Sequence, residues 1–182
     1  MSANDICIYG DLVLRRKAEQ VDTFDDNLKQ TADEMFEAMF EADGVGLAAP
    51  QVGISKAFLV MGMPRDNDEP EQLFFANPEI LETRGESTFE EGCLSIPGIR
   101  EDVVRSEWIR VRYQDLEGQV HELEADGLLA RALQHEIDHL NGILFIDRLS
   151  PARRGLLKNS LEKLAKSSGQ LKYTEYAGLI KM

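Results

Sequence analysis

Gln134-His135-Glu136-Ile137-Asp138-His139 is the most informative stretch of the chain, and the fold is read outward from it. From Leu128 to Leu140 the apolar residues recur at helical spacing. Histidines at i and i+4 then project from one face, with ring nitrogens within reach of a single ion. Glu136 lies beside that face, where it can act on a metal-bound water without being a ligand. Leu128, Ala132, His135 and His139 fall on one stripe. An apolar stripe that ends in two imidazoles is costly unless something satisfies them. The stretch therefore predicts a metal-binding helix at the centre of the molecule.

A catalytic ion normally takes a third protein ligand. The one other histidine, His121, sits on a predicted hairpin strand, where a structural or solvent-facing role is the ordinary reading. Carboxylates are plentiful, so a downstream acid stays open as the third ligand. The better candidate is Cys93, within Glu91-Gly92-Cys93-Leu94-Ser95, although a lone cysteine is by default a small buried hydrophobe.

The flanking segments alternate between helix and strand patterns. Asp22 or Thr23 can cap a helix whose apolar face is Leu28, Ala32, Met35, Phe36 and Met39, with Gly44 ending it. Gly44-Val45-Gly46-Leu47-Ala48-Ala49-Pro50-Gln51 reads as a loop or short edge segment, and Ala57–Met61 as a buried strand. Leu73–Ala76 is a short strand. Ile109, Val111 and Tyr113 alternate with Arg110 and Arg112 in a half-buried one, returning as a hairpin over Gln119–Ala125. Ser150 and Pro151 open a last helix over about 151–167. The fold class is α+β: small mixed or antiparallel sheets around a central metal-binding helix, with a C-terminal helix outside. A single catalytic domain is expected over residues 1–168, with 169–182 an extension of no evident role.

Composition bounds the function. The 182 residues are 43% hydrophobic and 29% charged, a soluble globular balance. No apolar run has the length of a signal peptide or a bilayer span, so a cytoplasmic protein without a membrane partner is expected. Two cysteines, Cys7 and Cys93, make no disulfide framework. A net charge of −13 argues against DNA binding by the surface as a whole. Residues 148–172 nevertheless carry seven basic side chains and one acid, a segment of +6 on a remainder of −19.

Three separated segments, in order, make the chain resemble peptide deformylases of the bacterial type with a helical C-terminus. Gly44–Gln51 is similar to that family's first motif, Glu91–Ser95 to its second and Gln134–His139 to its third. Tyr9-Gly10-Asp11 with Leu14-Arg15 is similar to the family's N-terminal segment, and the likeness runs over roughly residues 5 to 167. The resemblance implies a metal-dependent hydrolase that removes the N-formyl group from N-formylmethionine of newly synthesised polypeptides.

It further implies that Cys93, His135 and His139 hold one divalent ion per chain, Fe(2+) favoured, with Zn(2+), Ni(2+) or Co(2+) as alternatives. Glu136 becomes the general acid–base, while the Gln51 side-chain amide and the Leu94 N–H become donors to the oxyanion. Val45, Ile96, Leu128 and Ala132 are candidate walls of a pocket for the methionine side chain, with ordinary core as the alternative. Gly46 is either a turn residue or a place where the backbone approaches bound peptide as an added strand. Arg131 departs from the aliphatic residue of some relatives, and its stem is expected to line the pocket while its head reaches water. In residues 151–167, Leu156, Leu157, Leu161 and Leu164 suggest an apolar stripe. The basic residues there, with the resemblance, suggest docking at the ribosome near the nascent-chain exit. The rival functions are a zinc metallopeptidase, which has no use for Cys93, and a non-catalytic ribosome-associated metal module, which has none for Glu136 or Gln51.

Overall fold

The computed structural model describes residues 1–65, 68–169 and 173–175. Its first long element is helix α1, Asp26–Glu41, which buries Leu28, Ala32, Met35, Phe36 and Met39 along one face. The cap is Asp25, whose carboxylate accepts from the Leu28 N–H, rather than Asp22 or Thr23. The helix also stops before Gly44: Asp43 takes the left-handed conformation (φ 56°), and the Gly44 N–H bonds back to the Met39 carbonyl. An aspartate tolerates that conformation better than most side chains, so the stop signal lay one residue before the glycine.

Two antiparallel sheets follow. Strands β1 (Gly46–Ala48), β2 (Phe58–Arg65), β3 (Asp68–Arg84), β6 (Trp108–Gln114) and β7 (Val120–Asp126) form a sheet in the order β1-β2-β3-β6-β7. β4 (Ser87–Cys93) and β5 (Ile96–Arg105) form a separate hairpin. The short strand expected at Leu73–Ala76 is the middle of the much longer β3. Its pairing with β6 slips between Ala76 and Glu79, so Pro78 sits at an irregularity, where a missing N–H is tolerated. β6 and β7 pair in the anticipated hairpin, from Trp108↔Asp126 to Gln114↔Val120. The β4–β5 hairpin was not anticipated. Along Ile96–Arg105 the buried positions are Ile96, Ile99, Glu101, Val103 and Arg105, and the charges among them obscured the alternation.

Helix α2, Gly127–Leu140, crosses behind this framework and is buried from Ala130 onward except at Ala132. Its apolar side packs on Leu59, Met61, Phe75, Ile109 and Val111 of the main sheet. Its stripe begins further along than expected, because Leu128 is 51% exposed. Helix α3, Pro151–Ser167, starts at the Ser150 cap. Only Leu161 on it is buried; Leu156 is 75% exposed and belongs to no apolar stripe. Of the 169–182 extension, Gly169 and residues 173–175 are described; Lys172 and the other residues lie outside the described set.

Candidate metal centre and active site

α2 and the β4–β5 turn meet at the metal-binding group. The Cys93 sulfur lies 3.2 Å from His139 Nε2, and the ligand atoms of Cys93, His135 and His139 all stand within 4.8 Å of one another. The two imidazoles meet edge to face, with centroids 5.1 Å apart. His135 Nδ1 is engaged by the Glu91 carboxylate at 3.0 Å, which turns its other nitrogen toward the sulfur. Such a carboxylate behind a histidine ligand fixes the ring and its tautomer. His139 is buried with Nδ1 unpartnered, and burial, reinforced by His135, holds its pKa well below the usual value. A metal ligand must be neutral imidazole, so that environment suits the role. His135 is pulled the other way: burial opposes its charge, but the Cys93 sulfur and Glu91 outweigh it and hold its pKa up at about 10. A sulfur and two imidazoles crowded together in a buried site fit a divalent transition metal.

Glu136 follows His135 in α2 and is buried. Burial lifts its pKa to about 7, against the opposing influence of His135 and Arg105, and its Oε2 has no partner among the described residues. A buried carboxylate oxygen without a partner is aimed at something the protein does not supply. Gly46 explains how the carboxylate fits. A Cβ at residue 46 would stand 2.6 Å from Glu136 Oε1 and 2.8 Å from its Cγ. The glycine expected from its closeness to peptide is thus required first by the carboxylate behind it.

Gln51 is almost wholly buried, in the 3-10 turn Ala49–Val52 that follows β1. Its Oε1 accepts from the Ala48 N–H at 2.8 Å, which leaves Nε2 to face Ser95 Oγ at 3.3 Å and the Cys93 sulfur at 3.6 Å. The amide donor therefore faces the metal-binding group. Leu94 and Ser95 form the turn that joins β4 to β5, which puts the Leu94 backbone immediately beside Cys93.

The surrounding charge network was the part the sequence concealed. Arg105 is 1% exposed; it donates twice to Glu91, at 2.6 and 2.9 Å, and once to Asp138 at 2.8 Å. Arg131 does not send its head to water. Its guanidinium donates to Glu91 at 2.6 Å, to the Val103 carbonyl and to Ser87. Asp138 also accepts from Arg148. Burial alone would raise the Glu91 pKa, but the hydrogen bonds from His135 and Arg105 hold it down at about 2. Glu91 is thereby kept an acceptor for His135. The available signal was Glu101 and Arg105 in phase with Ile99 and Val103, together with an arginine on the buried face of α2. His121 plays no part: it is exposed and bonds Asp115 at 2.6 Å.

The candidate pocket residues fall differently. Val45, Gly46 and Ala132 are partly exposed near Glu136 and α2, and Leu128 is exposed beyond them. Ile96 has no accessible surface and packs with Leu14, Ile99, Val103 and Phe145. It is core behind the site and not a wall of it.

Comparison with known proteins gives the same picture. A peptide deformylase from Chromobacterium violaceum is 46% identical over 168 residues, covering 92% of this chain and 99% of that protein. The crystal structure of a peptide deformylase from Legionella pneumophila superposes with a TM-score of 0.81 at 45% identity, covering 88% of this chain and 94% of that one. A peptide deformylase from Synechococcus elongatus, solved in complex with actinonin, gives 0.80 at 46% identity, over 87% and 85% of the two chains. Residues 3–155 match the sequence pattern described as polypeptide deformylase, and with identities at this level over nearly whole chains, the protein belongs to the polypeptide deformylase family.

Proposed function

We propose that this enzyme hydrolyses the N-formyl group of N-formylmethionine at the start of newly synthesised polypeptides, releasing formate. The observation that carries this reading is the buried carboxylate of Glu136, one oxygen of which has no partner among the described residues, next in the chain to one of the two histidines that cluster with Cys93, with the Gln51 amide facing that group. Residues 1–168 form the single catalytic domain in this reading. Cys93, His135 and His139 hold one divalent ion per chain, Fe(2+) favoured over Zn(2+), Ni(2+) or Co(2+). When bound, that ion supplies Lewis acidity and a water that ionises near neutral pH. Action on nascent chains places the enzyme in the cytoplasm; no described helix is long and apolar enough to cross a membrane.

The chain's own groups do the rest. Water adds to the formyl carbon and the carbon–nitrogen bond breaks. Glu136, held against the Gly46 backbone, takes the proton released by attack and returns it to the departing amine nitrogen. The formyl oxygen becomes negative as this happens. Gln51 Nε2 and the Leu94 N–H donate to it, and such donors act most strongly in the transition state. Val45, Gly46, Leu128 and Ala132 border the substrate, and β1, an edge strand, offers its backbone to the peptide.

The test is a deformylation assay on formyl-Met-Ala-Ser beside the same peptide without its formyl group. Formate is expected from the first, with no peptide bond cut in either. Cleavage of the unformylated peptide would instead identify a metallopeptidase.

Docking at the ribosome near the nascent-chain exit is the finer part of the proposal. The structure narrows its basis, because Arg148, Arg153 and Arg154 are tied to Asp138, Glu101 and Asp147. Lys158, Lys163 and Lys166 remain on the exposed surface of α3, Lys158 only 3.9 Å from Glu162. Contacts from these lysines to phosphates weaken as salt rises. Co-sedimentation with ribosomes is therefore expected at low salt, fading at higher salt and in a Lys158→Glu, Lys163→Glu, Lys166→Glu variant that still deformylates short peptides. Equal pelleting of variant and parent would remove α3 from any such role.

A further inference from the structure

The match to the family pattern ends at residue 155, yet several described residues beyond it pack on the rest of the molecule. The last turn of α3 lies backbone to backbone on Gly10, where φ is +113° and a Cβ would stand 2.7 Å from Ala165 Cα. Ser168 Oγ donates to the Ile8 carbonyl at 3.4 Å. At residues 173–175 Tyr173 is 9% exposed and joins the core cluster that contains Ala3, Ile6, Leu47 and Ala49, with Leu94 packed against it. Burial, then Asp43 and Cys93, push the Tyr173 hydroxyl pKa up, as befits a ring seated close to the site. The Thr174 N–H and hydroxyl both donate to Asn4 Oδ1, at 3.3 and 2.6 Å.

The N-terminal segment held in this way presses on the active site from its other side. The Cys7 N–H donates to the Gln51 carbonyl at 2.7 Å, and the Tyr9 N–H to the Ser95 carbonyl at 2.8 Å. Gln51 and Ser95 are the two residues whose side chains meet at 3.3 Å and set the direction of the Gln51 amide. Residues 4–10 thus lie between the Gln51 and Ser95 turns on one side and Ala165, Ser168 and Thr174 on the other. We propose that Tyr173 and Thr174 act as a brace, which holds residues 4–10 against Gln51 and Ser95 and so positions the Gln51 donor. Tyr173 is a positioning residue: it acts through the N-terminal segment. The proposal rests on the reading of Gln51 as an oxyanion donor.

A donor that matters most in the transition state affects kcat when it is loosened and leaves KM largely unchanged. Removing such a donor costs ~10²–10³-fold, and loosening it forfeits part of that, roughly tenfold. The experiment uses the full-length metal-loaded enzyme, with Tyr173→Ala, Tyr173→Phe, Gln51→Ala and the Tyr173→Ala, Gln51→Ala pair. Steady-state kinetics are measured beside hydrogen exchange at the Cys7 and Tyr9 amides. Tyr173→Ala is expected to lower kcat roughly tenfold at constant KM and to speed exchange at both amides. Tyr173→Phe, which still fills the cluster, should match the parent. In the Gln51→Ala background Tyr173→Ala should have no further effect, since the donor it positions is already gone. An unchanged kcat in Tyr173→Ala despite faster exchange overturns the brace, as does an equal loss with or without Gln51. If Gln51→Ala alone leaves kcat unchanged, it is the reading of Gln51 that fails, and the brace fails with it.

Discussion

Glu136→Gln is expected to retain stoichiometric metal while turnover of a formylated peptide falls by ~10²–10⁴-fold. The substitution keeps the size of the side chain that packs against the Gly46 backbone, so the local fit is preserved. It removes the group that can hold and release a proton. Oε2 is the buried oxygen without a protein partner, so no structural hydrogen bond of the protein is lost with it. Metal content and kcat are the two measurements. Loss of the ion in this variant would make Glu136 a ligand and end its assignment as the acid–base group.

Cys93→Ala should have the opposite signature. The sulfur is one of three donors within 4.8 Å, and two histidines alone seldom retain an ion through exhaustive dialysis. Activity is expected to fall below detection because the metal is gone. The thermal stabilisation that added metal gives the parent should vanish as well, since that stabilisation grows with affinity. A Cys93→Ala protein that still carries one ion per chain would point to a carboxylate ligand, and with it to the metallopeptidase reading.

The metal-binding group was legible because its chemistry and its local structure coincide. Two histidines and a glutamate on one turn of helix can be recognised from spacing alone. Cys93 needed its motif, since a lone buried cysteine carries no such signal. The supporting residues were hidden for a physical reason. Glu91, Arg105, Arg131 and Asp138 look like surface residues by type and are buried only because they satisfy one another. Their mutual pairing depends on a hairpin folding against a helix some 30 residues away in sequence, which no window of periodicity contains. The same limit misplaced the Arg131 head. Leu156 erred in the other direction: its spacing suited a stripe, but it is exposed, while Leu157 and Leu164 pack partly buried against the cluster that contains Leu161. Tyr173 had no pattern around it at all, and its place became visible only in the fold, where it joins the cluster that contains Ala3, Ile6 and Ile8.

The open edge of β1 bears on how one catalyst can serve a whole proteome. Among the described residues β1 pairs with β2 on one side only, and Gly46 brings its backbone against the Glu136 carboxyl. A strand edge recognises amide and carbonyl groups, which nearly every polypeptide presents alike, whatever its side chains. Affinity gathered in this way is indifferent to which gene is being translated. On the proposed mode of binding, discrimination is concentrated at the one position all clients share, the blocked first residue, and an enzyme of that kind is a generalist in sequence while remaining strict about chemistry.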